Sequence, residues 1–386
     1  MSDRHGTTAS SVANPVRIHA LEALRSWLLL LGIIAHAVLV LRPTMSRSDG
    51  TSAAMLYRYI HVFRLPAYFL VAGYFAAWLY ERDGLRGFVI SRFKRVTSVL
   101  LVAQLAIAVT YGSGACGYCS VQGEGWLAHG WLYLWFLCYL ALLSHLTVSV
   151  VALVNRYAPL AARAVSSTLA RREAFWVLLV FGFLALAVLP GVFGGDGTFI
   201  LDDGIVPNPS LLVGYGLFFV FGWTVFQGGF WCQIRSGLAW QLPLSVLLGV
   251  LVVGASGPIA CGFGAQFVFS GLAWSATLSC ISVAFAFASK ANRLWRYLDD
   301  ASFWSYLWHL PIILVVTVLI RGLGLNGWPA ILAVTTLALA LCLGTYQLVA
   351  RRTIVGLWLS GRRRGRRFQS AARVAATQKP SLPTIG

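Results

Sequence analysis

The sequence predicts an all-α, polytopic integral membrane protein, and two properties of the chain support this fold class. Hydrophobic residues make up 58% of its 386 residues and charged residues only 11%, a composition typical of membrane proteins. Apolar runs that are long enough to cross a bilayer as helices also recur along the chain. We therefore expect about ten transmembrane helices.

Each predicted span is an apolar run bounded by polar or basic residues. The seventh run is short, and Gly254, Gly257 and Pro258 interrupt helical structure at its end. We see no internal repeat of the kind that inverted-repeat transporters contain. The predicted spans are residues 23–41, 55–80, 96–111, 131–154, 174–193, 210–227, 242–257, 265–289, 301–320 and 329–350.

The distribution of basic residues predicts the orientation of the spans. With a cytoplasmic N-terminus, the inner segments hold most of the 30 lysines and arginines, and the proposed outer loops hold only Arg42, Arg47 and Arg321. By the positive-inside rule, both termini are then cytoplasmic. This asymmetry explains the net charge of +18 without a nucleic-acid partner.

The chain divides into three predicted regions. Residues 1–20 are polar and predicted to be disordered, and no cleavable signal peptide is apparent because the first apolar run is too long and too charged. Residues 21–360 form the transmembrane domain. Residues 361–386 form a basic, disordered cytoplasmic tail, which could contact anionic lipids or serve only as a topology signal.

The first span carries ionisable residues on one stripe. Arg25 and His36 are eleven residues apart, which places them about 20° apart around a helix and about 16 Å apart along it. Glu22, three residues before Arg25, could pair with it. Ionisable groups inside a bilayer are costly and usually mark a site. A neutral His36 could be a general base for a hydroxyl nucleophile, or it could simply bond to a neighbouring helix.

The second span carries His61 and Arg64 near its predicted outer end. Counting from the span ends places His61 level with His36 and Arg64 one turn deeper. An arginine at that depth should face the bundle interior and hold an anion or a carboxylate, with a structural ion pair as the alternative. Pro66 predicts a kink, and Gly73 predicts a close approach between helices.

The basic segment after the second span contains Arg92, Lys94 and Arg95. These charges could cradle the phosphates of a nucleotide-bearing donor. Since the segment has no glycine-rich phosphate motif, its charges could equally serve only as a topology signal.

Two predicted outer loops contain residues that could form smaller sites. Cys116 and Cys119 could form a local disulfide in an oxidising periplasm. Asp196, Asp202 and Asp203 could bind a sugar or a metal, although a solvated loop is the simpler interpretation. No cysteine or histidine cluster in the sequence suggests a zinc site.

The ninth span carries a third polar group at membrane depth. Ser302 and His309 are seven residues apart, nearly on one stripe, and Tyr306 lies one turn from His309. On spacing alone, a functional role and a structural role are equally compatible with this pattern.

Four segments together resemble the membrane acyltransferase-3 family, in its glucan-modifying branch. Arg25 and His36, with ten residues between them, match the arginine and histidine of the family's first helix. Glu22 stands where the family often has aspartate, and Ala72 replaces the usual serine before Gly73. The matching segments are LEALRSWLLLLGIIAHAVLV (21–40), YIHVFRLPAYFLVAGYF (59–75) with SRFKRV (91–96), WLYLWFLCYL (131–140) and ASFWSYLWHLPII (301–313).

The resemblance implies transfer of an acyl group, succinyl or acetyl, across a bacterial inner membrane. The donor would be cytoplasmic acyl-CoA and the acceptor a hydroxyl of a periplasmic glucan or another envelope glycan, with no permanently bound cofactor or metal. The candidate site residues then take these roles: Glu22, Arg25, His36 and His309 in catalysis; His61, Arg64, Ser302 and Tyr306 in substrate binding; Arg25, Arg92, Lys94 and Arg95 in binding CoA phosphates.

Two other functional classes fit the composition. A transporter or flippase of glycan or acyl intermediates would move its substrate without consuming acyl-CoA, and broken helices or repeat symmetry would be expected. A non-catalytic membrane scaffold would tolerate loss of Arg25 and His36. The alignment of these two residues, together with Tyr306 and His309, favours a site over a scaffold.

Overall fold

The computed structural model describes residues 19–112, 134–194, 199, 206–254, 263–351 and 353. This part of the chain is almost entirely helical, and its β contact is an isolated bridge between Phe193 and Phe199, which confirms the predicted all-α class. The helices of the described residues are α1 (His19–Leu41), α2 (Arg47–Arg92), α3 (Ser98–Gly112), α4 (Trp135–Tyr157), α5 (Pro159–Leu169), α6 (Glu173–Val188), α7 (Pro209–Gly228), α8 (Trp231–Ser236), α9 (Leu238–Gly254), α10 (Phe263–Phe287), α11 (Arg293–Gly322) and α12 (Gly327–Thr345).

The described residues contain seven helical stretches that are long and apolar enough to cross a membrane. Shorter apolar helices lie at Glu173–Val188 and Leu238–Val252. A helix occupies each of the ten predicted positions. The number of crossings and the cytoplasmic location of the termini stay predictions. The seven stretches are His19–Thr44, Arg47–Leu105, Trp135–Tyr157, Pro209–Gly228, Gly264–Phe287, Arg293–Gly322 and Gly327–Ala350.

The basic segment between the second and third predicted spans is helical. Helix α2 continues to Arg92 and is interrupted at Gly84, whose φ of 66° and ψ of −178° are not helical. Glycine adopts this left-handed φ without steric cost. The helix resumes after Gly84, with Phe88 fully buried, and a π-helical turn, Phe93–Thr97, then leads into α3.

Two glycines permit a very close contact between α2 and α7. A Cβ atom at Gly73 would lie 1.9 Å from the carbonyl oxygen of Phe219, and one at Gly222 would lie 1.9 Å from that of Leu70. Any larger residue would therefore force the two backbones apart. The structure confirms that Gly73 permits a close approach, of the kind small residues allow between membrane helices.

Helix α1 lies between the two main apolar clusters of the protein. Its first half packs with α2 and α10 and belongs to the cluster that contains fully buried residues such as Phe69 and Phe218. Its second half packs with the start of α2, the end of α11 and α12 around residues such as Ile33 and Ile313. Polar residues on the remaining face of α1 are left facing α2 and α11, where the candidate site lies.

Candidate active site

A cavity of ≈ 280 Å³ lies between α1, α2, α4 and α11. This volume is close to the lower end of the range for small-molecule sites, about 300–1,000 Å³. Apolar residues such as Leu28, Val71 and Phe136 form much of its wall. Of the eleven site residues that the sequence suggested, eight line it: Arg25, His36, His61, Arg64, Arg92, Ser302, Tyr306 and His309.

Contacts between helices give the order of these residues along the cavity. Arg25 pairs with Asp299 near the start of α11, and the ring of His36 lies 4.9 Å from that of His309. Since the pairs are separated by eleven residues on α1 and ten on α11, these helices run in the same direction. The cavity therefore has an arginine end and a histidine end, about 16 Å apart.

The histidine end brings together three imidazoles from three helices. His61 and His309 are almost fully buried. The ring of His61 stacks on Tyr57, with centroids 4.3 Å apart, and the Tyr57 hydroxyl lies 3.4 Å from Nε2 of His61. An imidazole from α1, one from α2 and one from α11 can thus reach a group bound in the same space.

The hydrogen bonds of the histidines distinguish their roles. Nδ1 of His309 lies 2.7 Å from the carbonyl oxygen of Tyr306. A carbonyl oxygen only accepts, so Nδ1 carries the hydrogen and Nε2 is the acceptor atom of the neutral ring. Nδ1 of His36 is buried and has no hydrogen-bond partner among the described residues. The protein therefore fixes the orientation of His309 and leaves His36 available to a substrate.

Arg64 lies in the middle of the cavity, where its guanidinium packs on Gly32. A Cβ atom at position 32 would lie 2.6 Å from Nη1 of Arg64, and His36 follows one turn later on α1. Arg64 is only 9% exposed, and no carboxylate within the described ranges pairs with it. A buried guanidinium without a counter-charge is costly, so this site favours an anionic ligand.

Arg25, at the other end, is held by the protein itself. Its Nε and Nη2 lie 2.7 Å and 2.8 Å from Oδ1 and Oδ2 of Asp299, and the ring centroid of Phe75 is 5.2 Å from its Cζ. The Tyr68 hydroxyl donates to its carbonyl oxygen at 3.2 Å. Sequence reasoning identified neither Asp299 nor Tyr68, because contacts between distant helices leave no local spacing pattern.

The remaining predicted residues occupy different environments. Arg92 lines the cavity and lies over the ring of Phe88, 5.5 Å from its centroid. Lys94 and Arg95 are exposed and do not line the cavity. Glu22 also lies off the cavity, with one carboxylate oxygen 3.2 Å from Nδ1 of His19.

Several sequence predictions concern residues outside the described part of the chain. They include the possible Cys116–Cys119 disulfide, the acidic loop with Asp196, Asp202 and Asp203, and most of the terminal segments. Within the described ranges, no group of three or more histidine, cysteine, aspartate or glutamate residues is placed to hold a metal ion.

Comparison with known proteins gives one family and a set of relatives that match over a short segment. The model of an acyltransferase domain, acyltransferase-3, matches residues 18–347. Glucans biosynthesis protein C of Escherichia coli (strain SMS-3-5 / SECEC) is 33% identical over 97 residues, 23% of this chain and 25% of the relative. The proteins of that name from Salmonella paratyphi B and Salmonella heidelberg are 33% identical over 98 residues, 24% of this chain and 25% of each relative. The chain thus spans about a quarter of the length of these relatives, and no solved structure matches it.

Proposed function

The chain belongs to the acyltransferase-3 family and is a membrane acyltransferase, and from that premise we propose its substrates and mechanism. The proposed donor is acyl-CoA on the cytoplasmic side of a bacterial inner membrane. The proposed acceptor is a hydroxyl of a periplasmic glucan or another envelope glycan. The product is an O-acyl ester, with a succinyl group favoured and an acetyl group as the alternative.

One observation carries this proposal: a single cavity joins Arg25 and Arg92 to the three histidines. Arg25 is on the side that the charge distribution predicts to be cytoplasmic, where its guanidinium and that of Arg92 would bind the CoA phosphates. The acyl thioester would then extend along α1 to His36. The distance of about 16 Å between Arg25 and His36 is the length that the donor's pantetheine arm would cover.

In the proposed reaction, His36 first accepts the proton of the acceptor hydroxyl. The hydroxyl oxygen forms a bond to the thioester carbonyl carbon, and the bond from that carbon to sulfur breaks. The CoA thiolate then takes the proton back from His36, so that an ester and free CoA leave with no net change in the enzyme. General acid–base help of this kind is typically worth about 10²–10⁴ in rate.

His309 and Arg64 would support this step electrostatically. His309 packs against His36 and has a fixed Nδ1–H donor bond, so its ring can hold His36 and the substrate in place. Arg64 would stabilise the negative charge that develops on the carbonyl oxygen, or bind the free carboxylate of a succinyl group. The buried guanidinium, which pairs with no carboxylate within the described residues, favours succinyl over acetyl, and the name of the relatives, glucans biosynthesis protein C, favours a glucan acceptor.

The proposal is tested with purified protein, labelled succinyl-CoA or acetyl-CoA, and a β-glucan. We expect wild-type protein to form labelled glucan and His36→Ala to lose about 10²–10⁴ of the rate. The matched control is His145→Ala, because His145 bonds to the Ala141 carbonyl at 2.8 Å and does not line the cavity. Normal transfer by folded His36→Ala would exclude the general-base role. Glycan movement without consumption of acyl-CoA would indicate a transporter or flippase instead.

A further inference from the structure

The carboxylate of Asp299 lies along one edge of the Arg25 guanidinium. Nη2 donates to Oδ2 at 2.8 Å, and Nε lies 2.7 Å from Oδ1 as an ion-pair contact without hydrogen-bond geometry, so the carboxylate faces the guanidinium side-on. Nη1, on the opposite edge, is not part of this pair. Arg25 lines the cavity and Asp299 does not, so the carboxylate lies behind the arginine as seen from the cavity.

We propose that Asp299 is a positioning residue, which orients Arg25 so that Nη1 faces the phosphate groups of the donor. This inference rests on the proposed function, because it takes acyl-CoA as the ligand at this end of the cavity. Asp299 itself touches no substrate. It acts through Arg25 by removing the freedom of a long side chain before the donor binds.

The surrounding contacts make this orientation rigid. The hydroxyl of Ser302, one turn along α11, donates to the Asp299 carbonyl oxygen at 2.7 Å. The Ser26 hydroxyl lies 3.1 Å from the Trp295 carbonyl oxygen and joins α1 to α11 at the same level. Phe75 covers one face of the guanidinium. The helix backbones on both sides of the ion pair are therefore held in register.

Prior orientation matters for a phosphate ligand. Ordering a free arginine side chain upon binding lowers the affinity for the ligand. A phosphate oxygen accepts best from donors whose plane is already set. Asp299 also offsets part of the Arg25 charge. Arg25 therefore attracts anions in general less strongly, but it binds them from a defined direction. This geometry favours a ligand of one shape over other anions.

A matched pair of variants distinguishes the loss of Arg25 positioning from the loss of any ion pair. Asp83 forms a comparable pair with Arg82, at 2.6 Å, on the same predicted side of the membrane. That pair is exposed and does not line the cavity. Asp83→Asn therefore removes one carboxylate–guanidinium pair without touching the site, and Asp299→Asn removes the pair that we propose to be functional.

The experiment measures binding of CoA itself to the full-length protein in detergent by titration calorimetry, with thermal unfolding of each variant. We expect Asp299→Asn to weaken CoA binding about tenfold, to raise KM for acyl-CoA with a smaller change in kcat, and to leave KM for the glucan unchanged. Asp83→Asn should bind CoA like the wild type. Unchanged CoA affinity in a folded Asp299→Asn protein would overturn the proposal.

Asp299→Glu provides the second measurement if Asp299→Asn does not fold. Glutamate retains the carboxylate but moves it by one methylene, so the guanidinium should shift while the charge balance is kept. We expect CoA affinity to fall several-fold with little change in unfolding temperature, and equal affinity would overturn positioning by Asp299. If the wild-type protein bound no CoA, acyl-CoA would be excluded as the donor. Failure of the proposed function is thus distinguished from failure of this inference.

Discussion

Arg25 and Arg64 line the same cavity but differ in how the protein treats their charge. Arg25 is paired with Asp299 through two short contacts, and its side chain is 35% exposed. Arg64 is 9% exposed and, within the described residues, pairs with no carboxylate. The protein thus balances the charge of the more accessible arginine and leaves the more buried one unbalanced.

This difference indicates what each arginine is for. A buried cation costs free energy unless it is paired, so an unpaired one is retained only if a ligand needs it. A paired cation has already lost much of its attraction for a new anion, but its geometry is fixed. We therefore expect Arg64 to determine which acyl group reacts and Arg25 to determine how the donor is held.

The largest expected effect is that of Arg64→Gln on transfer. Glutamine is uncharged, and loss of a single donor to a developing oxyanion costs about 10²–10³ in rate. With succinyl-CoA the loss should be larger than with acetyl-CoA, because the guanidinium would also bind the free carboxylate. Initial rates with the two labelled donors measure this, with Arg64→Lys as the variant that retains the charge. Equal losses with both donors would exclude carboxylate recognition.

The next effect is on stability, and it should separate the two arginines. Arg25→Gln leaves the carboxylate of Asp299 without its partner, which should cost about 1–3 kcal/mol. Arg64→Gln removes an unpaired charge and should leave the unfolding temperature unchanged or higher. Thermal unfolding of the purified proteins measures both.

A double-variant cycle checks the origin of that stability loss. Arg25→Gln combined with Asp299→Asn should cost less than the sum of the two single variants, because both members of the pair are then neutral. Additive losses would show that the pair contributes no coupling energy. A clear loss of stability in Arg64→Gln would mean that Arg64 has a structural role, contrary to the difference between Arg25 and Arg64 described above.

Gly32→Ala tests the position of Arg64 without changing any charge. The new methyl group would lie 2.6 Å from Nη1, so the guanidinium must move away from Gly32. We expect kcat to fall about tenfold, since small displacements of a catalytic group are costly. Gly344→Ala in α12 is the control, because nothing lies within 4 Å of its added Cβ atom. Unchanged kcat in Gly32→Ala would mean that the position of Arg64 is not critical.

The sequence predicted the helical fold and most of the polar residues that line the candidate cavity, because both depend on local patterns. Apolar runs gave the helix positions, and the eleven-residue spacing of Arg25 and His36 placed them on one face of α1. The ion pair with Asp299 was missed, because 274 residues separate its partners along the chain. The helical segment after Gly84, in which Phe88 is fully buried, was not predicted either.

The smallest expected effect is that of Lys94→Ala combined with Arg95→Ala. The sequence suggested both as ligands of the CoA phosphates, but they are exposed and lie off the cavity. Charges in such positions act through solvent and are largely screened beyond about 8 Å at physiological salt. We therefore expect KM for acyl-CoA to change less than about twofold at 0.15 M salt. Arg92→Ala should raise KM more, because Arg92 lines the cavity. If the double variant instead raised KM as much as Arg92→Ala, the phosphates would bind outside the cavity mouth, and the orientation of Arg25 by Asp299 would not control donor binding.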